Sequence, residues 1–163
     1  MITAAIITMS DKGSRGERVD ESGAAIREAL AALPAEVVAY EVIPDEVETI
    51  KQRLVHFSDV TRVDLIVTTG GTGVSPRDVT PEATLSIIDR ELPGMAEAMR
   101  AESLKKTPHA MLSRAVCGIR GRTLIINLPG SPKAVRENLA VVLPAIAHAV
   151  AKIKGSDEEC GLG

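Results

Sequence analysis

The residues best suited to chemistry follow the third strand-like stretch of the chain. Gly70, Gly71, Thr72 and Gly73 come directly after a run of β-branched apolar residues, and Asp78 stands five positions later. Glycine allows positive φ angles, and because it has no Cβ it lets a ligand approach the backbone. Consecutive N–H groups can then form a concave anion site, to which Thr72 adds a hydroxyl donor. The stretch predicts a phosphate-binding loop; the alternative is a tight turn that needs glycine only for its conformation.

A second acid, Asp45, ends another strand-like stretch. If parallel strands present Asp45 and Asp78 to one cleft, two carboxylates face the bound phosphate. Such a pair could hold Mg²⁺, a hard cation that prefers oxygen ligands. The metal would offset the charge that develops on a pyrophosphate leaving group. The alternative is that each aspartate is only a helix N-cap, since both stand just before a predicted helix.

The segment Asn127-Leu128-Pro129-Gly130-Ser131-Pro132-Lys133 follows a later strand in a similar way. Gly130 and Ser131 would expose N–H groups at the start of the last helix, where the helix dipole favours an anion. The same letters also fit a helix start in which Ser131 is the cap and Pro132 takes the first helical position. Both interpretations remain open at this point.

Strand-like and helix-like stretches alternate along the chain, which predicts βαβ units and a mostly parallel sheet. A turn at Arg120-Gly121 predicts a hairpin near the end. In open α/β sheets, ligands bind beyond the carboxyl ends of the strands, where the loops described above lie. The predicted strands are 3–10, 36–44, 63–71, 113–118 and 122–127, and the predicted helices are 20–33, 46–58, about 80–90, 95–106 and 131–153.

Composition excludes several classes of function. The net charge is −3 and no basic block exists, which argues against nucleic acid as a partner. One Tyr, one Phe and no Trp leave no aromatic platform for stacking bases. The apolar runs are far shorter than the roughly 20 residues that span a bilayer, so no membrane contact is expected. The start of the chain lacks a basic segment, so we expect no secretion signal and a cytoplasmic location.

The chain shows no internal repeat and no convincing linker, which predicts a single domain over residues 1–154 followed by a flexible tail, 155–163. Its two cysteines, Cys117 and Cys160, lack any metal-binding spacing. We expect both to be free thiols, with a disulfide between them as the alternative.

The stretch TTGGTG followed by RDVTPEAT, together with LPGSPKA, resembles the Mog/MoaB-type molybdopterin adenylyltransferase family, which also supplies the G domains of plant and animal molybdenum-insertion proteins. The resemblance covers about residues 3–150, and Ile43-Pro44-Asp45-Glu46 and Leu112-Ser113-Arg114 strengthen it. It implies a three-layer αβα sandwich, with a mostly parallel sheet and an antiparallel edge hairpin, and a homotrimer. It also implies a Mg²⁺-dependent reaction in which the terminal phosphate of molybdopterin attacks the α-phosphorus of ATP and releases pyrophosphate.

The same resemblance assigns roles to residues. Asp45 and Asp78 are the implied catalytic and metal-binding acids; some MoaB-like members depart from the pattern there, whereas this chain has both. The implied nucleotide-phosphate residues are Gly70, Gly71, Thr72 and Gly73. The implied molybdopterin-binding residues are Ser113, Asn127, Gly130, Ser131 and Pro132.

A molybdate-inserting enzyme is the implied partner, because this chain shows no fused second domain. The alternative function is a non-catalytic molybdopterin carrier or scaffold module that uses the same pocket. A generic nucleotide kinase is disfavoured, since the chain has no P-loop lysine and no kinase signature.

Overall fold

The computed structural model describes residues 1–157 and is built around a six-stranded mixed sheet. Residues 158–163, which hold Cys160 and most of the predicted tail, lie outside the described residues. The sheet order is β2-β1-β3-β6-β5-β4; the first four strands are parallel, and β5 and β4 continue the sheet antiparallel. The strands are β1 (Ile2–Met9), β2 (Ala35–Ile43), β3 (Leu65–Thr69), β4 (Arg90–Glu91), β5 (Cys117–Arg120) and β6 (Thr123–Leu128).

Six α-helices connect or flank these strands within the described residues. A π-helical turn, His56–Val60, continues the third helix, and a 3₁₀ turn, Pro108–Leu112, precedes β5. The helices are α1 (Asp11–Ser14), α2 (Glu21–Leu30), α3 (Val47–Val55), α4 (Thr80–Ile87), α5 (Pro93–Leu104) and α6 (Pro132–Ile153).

Two apolar clusters, one on each face of the sheet, form the core. Alternate side chains of β1 point to opposite faces, so Ala4 and Ile6 lie in one cluster and Ala5 and Ile7 in the other. Helices α2, α5 and α6 cover the first face, and α3 and α4 cover the second. Each fully buried Ile or Leu contributes about 1.5–3 kcal/mol of transfer free energy. The predicted three-layer α/β fold with a mostly parallel sheet is confirmed.

The connections create a crevice between β1 and β3. From β1 the chain passes through α2 to β2 on one side, and then through α3 to β3 on the other side of β1. The loops that leave the carboxyl ends of β1 and β3 therefore diverge, and ligands of open α/β folds bind at such a reversal point. This topology brings the loops after β1, β2, β3 and β6 to one edge of the sheet.

The bounds of some elements differ from the prediction. The helix predicted at 95–106 begins two residues earlier, at Pro93, because proline at the first helical position loses no intrahelical hydrogen bond. The hairpin strand predicted at 113–118 begins only at Cys117. Upstream of it, Arg100 binds the carbonyl oxygens of Ser113 and Ala115, so these groups are not available to a neighbouring strand. Helix α1, strand β4 and the 3₁₀ turn were not predicted.

Within residues 1–157, α6 is the one helix that is long and apolar enough to cross a membrane by length and composition alone. That is weak support for a span, because helices of protein cores pass the same test. Its residues Val135, Leu139 and Ile146 are buried in the cluster beneath the sheet.

The thiol of Cys117 gives a test of the core. Its side chain is fully buried in β5, and this burial raises the pKa of the thiol to about 12. In a Cys160→Ser variant at pH 8, we expect Ellman's reagent to react with native protein slower than with urea-unfolded protein by a factor on the order of 10³, since only the thiolate is nucleophilic. Equal rates in the native and unfolded states would show that β5 is accessible.

Candidate active site

A cleft of about 580 Å³ lies over the carboxyl ends of β1, β2, β3 and β6. We call it the first hollow. Its walls are the loops that follow these strands and the start of α2. Asp45 comes from the loop after β2, Gly70 and Gly71 from the loop after β3, and Gly130 from the loop after β6. The loops that follow these strands therefore lie around one cleft, as predicted.

The glycine loop has a backbone that other residues would strain. Gly70 and Gly71 have φ angles of +94° and +68°. A Cβ on Gly70 would lie 2.4 Å from the carbonyl oxygen of Met9, and one on Gly71 would lie 2.4 Å from Oγ1 of Thr80. Thr80 in turn donates its hydroxyl to the carbonyl of Gly70. Conformation alone thus requires glycine at both positions, and binding of phosphate by this loop stays a prediction.

Asp45 and Asp78 both lie against this loop. Oδ1 of Asp45 is 3.1 Å from the position that a Cβ on Gly71 would take, and Oδ2 of Asp78 is 2.8 Å from the corresponding position on Gly73. Neither aspartate is a helix N-cap. Helix α3 is preceded by Glu46 and α4 by Val79, and neither cap has a side-chain hydrogen bond. The N-cap alternative is therefore wrong for both acids, and the structure brings them to one place.

A chain of hydrogen bonds holds Asp45 in position. Its Oδ2 accepts a bond of 3.1 Å from the backbone N–H of Asp11, and its own N–H donates to Oδ1 of Asp11 at 3.0 Å. Arg77 donates two hydrogen bonds, of 3.0 and 2.9 Å, to the same Asp11 carboxylate. The hydrogen bond from Arg77 lowers the pKa of Asp11, which keeps that carboxylate ionised. Asp45 is thus fixed from both its main chain and its side chain.

Burial raises the pKa of Asp45, and the nearby charges of Asp11 and Asp78 raise it further. An environment of this kind favours a bound cation, because positive charge would stabilise the ionised acids. Within residues 1–157 no three His, Cys, Asp or Glu side chains are grouped to hold a metal ion. Two carboxylates do fit Mg²⁺, which usually takes one or two carboxylates together with substrate phosphates and water.

Arg114 fixes the backbone beside Asp78. Its Nε donates to the carbonyl of Gly73 and its second terminal nitrogen to the carbonyl of Asp78, each at 2.7 Å. The first terminal nitrogen binds the carboxylate of Glu82 at 2.5 Å. Oδ2 of Asp78 accepts a bond of 3.0 Å from the N–H of Ser75. The loop 70–78 is therefore tied at both ends, and one oxygen of Asp78 has no bond to a described residue.

A second hollow of about 390 Å³ adjoins the first and shares Gly71, Asp78 and Gly130 with it. Its outer wall comes from α5, the 3₁₀ turn and α6, which contribute polar groups such as Ser103 and Asn138. The two hollows meet at the glycine loop and its acids. Two ligands could therefore bind on either side and bring their reactive groups to the same point.

The residues expected to bind molybdopterin do not lie together. Ser113 lines the second hollow, Ser131 and Pro132 line the first, and Gly130 lines both. Ser131 also accepts a hydrogen bond from the N–H of Ala134, so it is the cap of α6 as well as part of the wall.

Asn127 is placed in neither hollow. Its side chain is fully buried, accepts a bond from the N–H of Val116 and donates to the hydroxyls of Thr68 and Thr84. Through these bonds Asn127 joins β6, β3 and α4 beneath the cleft. Contact between Asn127 and molybdopterin stays a prediction.

The segment 11–20 supplies wall residues that the sequence analysis did not single out. Lys12 and Arg18 line the first hollow, and neither side chain forms an ion pair within 4 Å among residues 1–157. Ser22, at the start of α2, donates its hydroxyl to the carbonyl of Gly130 at 2.5 Å. The segment was predicted only as a polar loop, although its position after β1 places it at the same edge as the glycine loop.

Comparisons with known proteins agree with this geometry. Residues 5–148 match the family described as "Probable molybdopterin binding domain". Molybdopterin adenylyltransferase of Helicobacter pylori (strain J99) is 47% identical over 154 residues, which is 93% of this chain and 87% of that protein. Gephyrin of Dictyostelium discoideum is 48% identical, but this chain spans only 22% of its length.

A solved structure gives the same result for the fold. The crystal structure of the molybdopterin biosynthesis enzyme MoaB from Thermus thermophilus superposes with a TM-score of 0.91 at 56% identity, covering 96% of this chain and 98% of that one. The predicted resemblance is confirmed. With a family match over most of its length and close relatives of similar size, this chain belongs to the molybdopterin-binding family of molybdenum cofactor biosynthesis.

Proposed function

We propose that this protein is a molybdopterin adenylyltransferase of molybdenum cofactor biosynthesis, acting in the cytoplasm. It transfers AMP from ATP to the terminal phosphate of molybdopterin and releases pyrophosphate. The observation that carries the proposal is the position of Asp45 and Asp78 against one glycine loop, where two hollows meet. Relatives that bear this name and match in length support it.

The polar character of each hollow suggests which substrate it takes. The first offers Lys12, Arg18 and the amino end of α6, which suit the charges of a triphosphate. The second offers amide and hydroxyl groups such as Asn138 and Ser113, which suit a neutral heterocycle. We therefore assign ATP to the first hollow and the pterin to the second. Under this assignment Ser131 and Pro132 bind the nucleotide, whereas the family resemblance implied that they bind the pterin.

The reaction needs positioning more than covalent chemistry. An oxygen of the molybdopterin phosphate forms a bond to the α-phosphorus while the bond to the β-phosphoryl oxygen breaks, and pyrophosphate leaves with the electron pair. The loop 70–73, tied by Arg114, holds the two phosphates at the junction of the hollows. Asp45 and Asp78 would hold Mg²⁺. When bound, that ion would offset negative charge on the leaving group.

The direct experiment is pyrophosphate release from ATP by the purified protein. Release should require ATP, molybdopterin and Mg²⁺ together, stop on addition of EDTA and return with excess Mg²⁺. Calorimetry that detects molybdopterin binding without any turnover would instead favour the carrier or scaffold alternative.

We also propose a homotrimer and transfer of the product to a molybdate-inserting partner enzyme, both implied by the family. Sedimentation equilibrium would test the first. A monomer at all concentrations would contradict it.

Removal of either acid should abolish turnover without unfolding the protein. For Asp45→Asn and Asp78→Asn we expect kcat to fall at least roughly 100-fold, the usual loss when a charge-stabilising group is removed. Asp45→Asn should be no less stable than the parent at pH 7, because burial disfavours the ionised carboxylate and an amide can still accept from Asp11. The matched control is Asp157→Asn, an exposed site far along the chain. If Asp45→Asn and Asp78→Asn both kept the parental kcat for pyrophosphate release, the assignment of these acids would be contradicted.

Alanine substitutions at two glycines with similar φ angles distinguish the effect of backbone strain from the effect on the active site. Gly71 and Gly16 have φ angles of +68° and +74°, so alanine costs about 1–2 kcal/mol of backbone energy at either position. A Cβ at Gly16 meets nothing within 4 Å, whereas one at Gly71 crowds Thr80 and Asp45. Gly71→Ala should therefore lose most of the activity and Gly16→Ala almost none, as judged by kcat/KM and thermal unfolding. A folded Gly71→Ala enzyme with full kcat/KM would show that Asp45 need not stand where it does.

A further inference from the structure

A third hollow, of about 450 Å³, lies at the opposite end of the sheet, at the amino ends of β3 and β6. We call it the basal hollow; its walls include Ser58, Arg62, Asp64, Arg122 and Lys154. The five residues of β3 separate it from the active cleft, a distance of roughly 15 Å. The proposed reaction uses none of these residues.

Basic side chains outnumber acidic ones in the basal hollow. Its two acids are already engaged: Arg120 binds both oxygens of Asp59, at 3.1 and 2.7 Å, and Lys154 lies 3.0 Å from Oδ1 of Asp64. Arg62 and Arg122 form no hydrogen bond and no ion pair within 4 Å among residues 1–157. Two guanidinium groups therefore remain to attract an anion in a protein whose net charge is negative.

A buried hydroxyl lacks a partner at the same place. Ser58 is 7% exposed, and its Oγ is the one buried side-chain oxygen or nitrogen in residues 1–157 without a hydrogen bond. An unsatisfied buried hydroxyl is unfavourable, so such a group in a native fold requires an explanation. The hydroxyl is inaccessible, so it marks unusual packing in the wall of the hollow and is not a group that a ligand there would contact.

The backbone that leads into the hollow is unusual in two further ways. The turn His56–Val60 is π-helical, a form that occurs often at functional sites. Arg62 has a φ angle of +58°, the only positive φ of a residue other than glycine between residues 1 and 157. A strained backbone of this kind persists where the surroundings fix it and is found disproportionately at ligand sites.

We propose that the basal hollow binds the phosphate group of a small phosphorylated compound or free phosphate, held by Arg62 and Arg122. Guanidinium groups match phosphate oxygens in charge and in paired geometry. The volume lies within the range of small-molecule sites and leaves room beyond the phosphate itself.

The test is a phosphate titration of ¹⁵N-labelled protein by NMR, at an ionic strength kept constant with chloride. Amide signals of residues 58–64 and 121–123 should shift together and saturate, with a dissociation constant separate from that of cleft residues 70–73. The double variant Arg62→Gln, Arg122→Gln should bind phosphate at least tenfold more weakly at the basal hollow and keep full turnover. The control for loss of charge is Arg27→Gln on α2, where Arg27 lies over the ring of Tyr40. This variant should not change the affinity for phosphate.

Glycerol 3-phosphate, inorganic phosphate and malonate then identify the ligand. Tighter binding of the ester supports a phosphorylated compound, and tighter binding of the inorganic ion supports free phosphate. Equal affinity for malonate, unchanged affinity in the double variant, or no shift at residues 58–64 would each overturn the proposal.

Discussion

Repulsion between like charges is the constraint around which the cleft is organised. Asp11, Asp45 and Asp78 lie close enough for their charges to act on one another, and burial adds to the cost at Asp45. Two arginines offset part of this negative charge. Arg77 binds the carboxylate of Asp11, and Arg114 binds the backbone carbonyl of Asp78. Arg77 acts on Asp45 only as a nearby charge, and neither arginine is hydrogen-bonded to the Asp45 carboxylate. An arrangement of this kind favours a bound cation.

The fold makes this arrangement possible. The acids and the glycine loop come from three segments spread between residues 11 and 78, and parallel strands deliver these segments to one edge. The order β2-β1-β3 places the loop after β1 between the other two, so Asp11 can bridge Asp45 and Arg77. The tightness of the contact with the Thr80 hydroxyl explains why glycine stands at position 71.

Much of the fold could be predicted from local pattern. Short apolar runs marked the strands, and the continuous apolar run of β1 agrees with its two buried faces. Details set by long side chains could not be predicted. No local rule says that Arg100 binds two carbonyls upstream of β5, yet that contact shortens the hairpin.

In the candidate site, too, some features could be predicted from local sequence and others could not. Its glycine loop and acids could be identified by residue type and position. The burial of Asn127 could not be predicted, because a polar residue at a strand end can face the rim or the interior. Its position two residues after Ile125 puts it on the buried face toward α4. Lys12 and Arg18 were overlooked because a polar loop gives no sign of which side chains turn inward.

The junction at Gly71, Asp78 and Gly130 also bears on how a product would depart. A molecule formed by joining the occupants of two adjoining hollows remains anchored at both ends. After one end detaches, the other keeps it at a high local concentration, so rebinding competes with escape. If the two substrates bind as proposed, we expect the protein to retain its product until a partner removes it, and so to act as a reservoir for the next step.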